Sequence, residues 1–204
     1  MNCSYLLLSW LYTIIMTLII AAQNRNSIIV GSDSLSGRLD SERLNLNAQK
    51  LYDVSSSCSI MVAGSGFNSE RVDQFLLNFI DFVNEQGITD IDEIANALNR
   101  SASQRIAGQV EPGNLIFILA GFSGTTPRLY KFHSNSSFQK TRYDTAYVAA
   151  GKDEFAGTVC SELGVNKNMT TNELKTAIEL VLEKTHDEFP NEVGGDLTIK
   201  VLTS

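Results

Sequence analysis

The chain has 204 residues, 43% of them hydrophobic and 19% charged, with a formal net charge of −7 at pH 7. That length suits one domain with a sizeable core. The acidic balance, with no Lys/Arg cluster, excludes a nucleic-acid partner, because phosphate neutralisation needs a concentrated basic face.

Residues 5–22 are mainly apolar and on their own read as a transmembrane helix or a signal-peptide core, with Ala21-Ala22 as a small-residue cleavage site. The first basic residue is Arg25, however, so the positive n-region of a signal peptide is missing. A second reading divides the same stretch. Apolar runs at 18–22 and 27–31 flank Gln23-Asn24-Arg25-Asn26, the pattern of a β-hairpin, which ends at the acidic Asp33. Residues 1–16 are then a leader, propeptide or upstream-start extension, and 17–204 is the domain. Initiation at Met16, or cleavage after it, makes Thr17 a free N-terminal nucleophile.

Beyond the polar stretch 35–49, a second strand pair is expected at 50–54 and 59–66, with Ser55-Ser56-Ser57 as the turn. From Ser69 the period changes to helical: Val72, Phe75, Leu76, Phe79, Ile80 and Val83 share a face, Asn68 or Ser69 caps the start and Gly87 stops it. A second helix begins near Asp90, with Ile91, Ile94, Ala95, Leu98, Ala102 and Ile106 on one side. Pro112-Gly113 then breaks the chain. Strands follow at 114–122, 128–133 and 139–150, separated by turns at Gly124-Thr125-Thr126-Pro127 and Ser134-Asn135-Ser136-Ser137. Helices at 153–163 and 171–188, the latter capped by Thr170-Thr171 with Glu173 close behind, lead to a last strand at 196–202. This order predicts an α+β fold, a four-layer αββα sandwich of two antiparallel sheets flanked by helix pairs.

Cys3, Cys58 and Cys160 have no C-x-x-C spacing and read as free buried thiols in a reducing compartment. With only His133 and His186, far apart, neither a His-rich metal site nor a Cys/His nucleophile pair is indicated.

Read with its chemistry-bearing residues, the order resembles the β-type subunits of the proteasome and their bacterial relatives, the N-terminal nucleophile hydrolases, from about Thr17 to Leu202. Asp33 stands sixteen positions after Thr17 in the turn Gly31-Ser32-Asp33-Ser34. Lys50 opens the third strand, and Ala63-Gly64 follows fourteen positions after it. The Tyr147-Val148-Ala149-Ala150-Gly151 strand end and Val193-Gly194-Gly195 are further landmarks. The resemblance implies catalytic roles for Thr17, Asp33 and Lys50, and a substrate-groove and oxyanion N–H on Gly64, with Ser65, Ala150 and Gly151 as supporting positions. No metal and no cofactor is expected.

The chemistry explains the set. Thr Oγ is a poor nucleophile, and the α-amino group of the same residue, with a reference pKa of roughly 8, supplies the base once it is free. A Lys ammonium nearby favours deprotonation, and a carboxylate holds that Lys charged and oriented. Three positions depart from the family pattern. Ala150 stands where many active relatives carry Ser, and Pro190 and Val193 stand where they tend to carry Asp and Ser; Asp187, Glu192 and Ser65 are the side chains left to substitute. The reading is a threonine-type peptidase subunit in a cytoplasmic ring or helical homo-oligomer, with a polypeptide or peptide substrate and an ATPase partner. The alternatives are a catalytically silent subunit of the same fold, and a domain anchored in the membrane or exported through residues 5–22.

Overall fold

A computed structural model of the chain describes residues 17–35, 46–64, 69–109 and 115–204. The opening hairpin forms as the sequence predicts. β1 (Leu18–Gln23) and β2 (Ser27–Ser32) pair antiparallel, and every residue in both is buried. Their unbroken apolar runs reflect cover on both faces. Ile19, Ala21, Ile28 and Val30 point into the core between two sheets, whereas Leu18, Ile20, Ala22 and Ile29 meet a helix layer. The Asn24 side chain closes the turn by accepting from the N–H groups of Asn26 (2.9 Å) and Ser27 (2.7 Å).

The chain continues through β3 (Leu51–Ser55), β4 (Cys58–Gly64), α1 (Ser69–Glu85), α2 (Ile91–Arg105), β5 (Leu115–Ser123), β6 (Thr126–His133), β7 (Lys140–Tyr143), β8 (Tyr147–Gly151), α3 (Asp153–Glu162), α4 (Thr171–Glu188) and β9 (Thr198–Thr203). One sheet has the order β8-β1-β2-β9 and the other β3-β4-β5-β6-β7, with all neighbours antiparallel. Val72, Phe75, Leu76 and Phe79 of α1, with Ile94 and Leu98 of α2, pack on the five-stranded sheet. Leu174, Ile178, Val181 and Leu182 of α4, with Val159 and Cys160 of α3, cover the four-stranded one. The result is the four-layer αββα sandwich.

The helix ends are set by the expected residues. Asp90 caps α2 by accepting from Asp92 N, and Thr170 and Glu173 form a reciprocal capping box on α4. Gly87 takes a left-handed φ of 63° just past α1.

Two sequence expectations are corrected. The stretch 139–150 is not one strand: it breaks at Asp144-Thr145-Ala146, where the chain leaves β7 in one sheet to become β8 in the other. Thr126 and Pro127, expected in a turn, belong to β6. β7 pairs only with Leu129 to Phe132, so Pro127 lies beyond it, where no ladder bond from its nitrogen is needed. Asn68, Ser65, Pro112-Gly113 and most of the polar stretch after Leu35 lie outside the described residues.

Candidate active site

The hairpin itself explains why Thr17 and Asp33 meet. β1 starts one residue after Thr17 and β2 ends one residue before Asp33, so antiparallel pairing brings both to the open end of the same hairpin. Asp33 N donates to Leu18 O at 3.2 Å, continuing the ladder. Thr17 Oγ1 donates to Asp33 Oδ1 at 2.5 Å.

Lys50 arrives from the other sheet. It immediately precedes β3, and its carbonyl accepts from Val62 N of β4 at 2.9 Å. Its Nζ donates to Thr17 Oγ1, to Asp33 Oδ1 at 2.7 Å and to Leu35 O at 2.5 Å. The cluster is enclosed: Thr17 is 5% exposed, Asp33 1% and Lys50 6%. A carboxylate in such a place needs many donors. Asp33 Oδ1 also accepts from Leu18 N at 2.9 Å, and Oδ2 accepts from Leu35 N at 3.3 Å and Gly194 N at 3.1 Å. Burial lowers the pKa of Lys50 from its ordinary value, opposed by the charge and hydrogen bond of Asp33.

The supporting positions are distributed as follows. Gly64 closes β4 opposite Leu115, exposed, with φ 142°, at the end of the strand that flanks Lys50. Ser65 is outside the described residues. Ala150 is fully buried in the core between the sheets, opposite Ile19. Gly151 lies opposite Leu18 with φ 99°, and a Cβ built there would stand 1.5 Å from Thr17 O. Only glycine permits that approach.

Of the side chains left to substitute at the departing positions, Asp187 is exposed near the end of α4, and Glu192 is engaged by Lys152 at 2.8 Å. Neither is among the hydrogen-bond partners of the Thr17 hydroxyl, which are Asp33 and Lys50. What the sequence reading missed is the backbone around Asp33, above all Gly194 N. Its one signal is the Val193-Gly194-Gly195 run, noted only as a landmark.

A family model described as proteasome subunit matches residues 17–199. The chain belongs to the proteasome subunit family. The matched span opens at Thr17 and includes Asp33, Lys50, Gly64, Gly151 and Gly194. A comparison with curated proteins gives no match. Among the described residues of this proteasome-family chain, no helix is long and apolar enough to cross a membrane, and no group of three or more His, Cys, Asp or Glu residues is arranged to hold a metal ion.

Proposed function

We propose that the mature chain comprises residues 17–204 and is a threonine-type peptidase subunit, cleaving peptide bonds through an acyl-enzyme on the Thr17 hydroxyl. The observation that carries this reading is the buried contact of Thr17 Oγ1 with both Lys50 Nζ and Asp33 Oδ1. In the 204-residue chain Thr17 N is a peptide nitrogen joined to Met16, so the α-amino base exists only when the chain begins at Thr17.

With that amine free, it takes the hydroxyl proton as Oγ1 attacks the substrate carbonyl. The proton then passes to the leaving amine, and water hydrolyses the resulting ester. Lys50 supplies the positive potential that favours the alkoxide, and Asp33 holds Lys50 in place. Gly64 N–H is assigned to the oxyanion, a contact typically worth about 3 to 4 kcal/mol. The substrate is an unstructured polypeptide or peptide, and the subunit works in a soluble, cytoplasmic homo-oligomer, ring or helical, supplied by an ATPase partner.

A second reading, a catalytically silent subunit of the same fold, is favoured by Ala150 and Val193, both buried and without a hydroxyl, and by the exposed Pro190. One experiment separates the two. Thr17→Ala should abolish hydrolysis of fluorogenic peptides while leaving fold and assembly intact. Hydrolysis that survives in the purified variant puts the chemistry elsewhere, and a native chain that starts at Thr17 and cleaves nothing favours the silent subunit.

A further inference from the structure

His186 sits in the last turn of α4, half-buried, with its ring against Gly194: a Cβ at Gly194 would stand 3.5 Å from both Cε1 and Nδ1. Nδ1 is 2.8 Å from Val193 O. A carbonyl only accepts, so Nδ1 carries the proton. The Val193 C=O and the Gly194 N–H are the two ends of one peptide group, and that N–H donates to Asp33 Oδ2 at 3.1 Å. The next carbonyl, Gly194 O, accepts from Ser34 N at 3.1 Å and Leu35 N at 2.8 Å, which clamps the segment carrying Asp33 onto this turn. The other oxygen of Asp33 meets Thr17 and Lys50.

We propose that His186 is a positioning residue for the Thr17 site, its Nδ1–H holding and polarising the Val193–Gly194 peptide so that Gly194 N–H fixes the second oxygen of Asp33. The proposal rests on the reading of Thr17 as nucleophile. A donor on a peptide carbonyl strengthens the N–H of the same peptide as a donor, and the effect is largest toward a charged acceptor in a low-dielectric interior. Val193 brings no polar side chain to this turn, so its backbone must be oriented from outside. Phe189 O accepts from Glu192 N and Val193 N at 2.9 Å each, and Lys152 pairs with Glu192. Those bonds shape the turn, but the Val193 carbonyl itself is held by His186, and without it a buried acceptor loses its partner.

The test uses the mature chain, residues 17–204, labelled with 15N-glycine, in parent, His186→Leu, His186→Asn and Thr17→Ala forms. Asn places an N–H donor near the position of Nδ1; Leu fills the space without one. The Gly194 amide proton should move upfield in His186→Leu and stay near its parent position in His186→Asn. On a fluorogenic peptide, kcat of the Leu variant should fall about tenfold, the equivalent of one hydrogen bond reaching a charged group, with KM changed less than about twofold. Asn should restore most of that loss. An unmoved Gly194 resonance in His186→Leu overturns the proposal, as does a His186→Asn chain that folds and loses kcat tenfold; the latter outcome also decides the matter if the Leu variant does not fold. If Thr17→Ala still hydrolyses peptide, the nucleophile reading fails, and the Gly194 shift alone reports whether His186 orients Asp33.

Discussion

Lys50 uses all three of its N–H donors inside the protein, on Thr17 Oγ1, Asp33 Oδ1 and Leu35 O. A lysine so placed is neither a strand-edge charge nor a solubility device. Lys50→Ala should lower kcat by at least about a hundredfold, since it removes the positive potential beside the proposed nucleophile, Thr17. It should also destabilise the fold by about 3 kcal/mol, because it leaves Asp33 buried with only neutral donors. Near-normal turnover in that variant, measured beside its thermal unfolding, would show the pair to be structural only. The pH dependence follows from the same geometry. The α-amine must be neutral, and the Lys50 ammonium beside it favours that form, so the acid limb of kcat/KM should lie below the amine's reference value of roughly 8. Lys50 must be charged, and because burial lowers its pKa below the ordinary 10.5, its proton is lost earlier as pH rises. The alkaline limb should therefore fall below 10.5. An alkaline limb at or above that value counts against this assignment of Lys50. Thr17, Asp33 and Lys50 were singled out through the family resemblance, and one hairpin and the strand after it bring their side chains together. Gly194 N and the His186 contact were not, because a backbone N–H has no residue signature and a helical histidine does not show which carbonyl it will meet. Cys58 and Cys160 are free and buried as expected, and burial pushes both thiols up to about 12, which leaves them as packing groups; Cys3 lies outside the described residues.

At the scale of elements, most of the chain order could be read from periodicity, and the largest failure has a physical cause. Periodicity reports which faces are buried but not in which sheet. The stretch 139–150 carries no Gly or Pro to mark a break, yet β7 and β8 belong to different layers and the chain crosses between them at Asp144-Thr145-Ala146. The same ambiguity made β1 look like part of a membrane segment: a strand covered by helices on one side and by a second sheet on the other is as apolar as a spanning helix over this length. Gly151, at the end of β8, shows how tightly these elements meet. Gly151→Ala should destabilise the fold by about 3 kcal/mol or more, since its φ of 99° disfavours any side chain and the new methyl would collide with the Thr17 carbonyl. Denaturant unfolding checks this. A variant as stable as the parent would mean that β8 can slide away from Thr17, and that the backbone at the site is looser than the pairing of Leu18 with Gly151 implies.

For the whole molecule, the sandwich bears on the two readings of the N-terminal stretch. β1 is an interior strand of the four-stranded sheet, paired with β8 on one side and β2 on the other. A segment committed to those two ladders cannot also lie in a bilayer, where each unpaired backbone group costs several kcal/mol and an open sheet has no place. Cleavage after Ala22 fares no better. It would remove nearly all of β1, leave β8 and β2 facing a gap, and uncover Ile19, Ala21 and the core between the sheets. Cleavage or initiation at Met16 instead spares every described strand and delivers the α-amine to the residue already in contact with Lys50 and Asp33. Protein expressed from its own upstream region should therefore yield a soluble chain whose intact mass and N-terminal sequence begin at Thr17. Full-length chain recovered in the membrane fraction, or a chain beginning at Gln23, would reject this placement and remove the base that the proposed nucleophile needs.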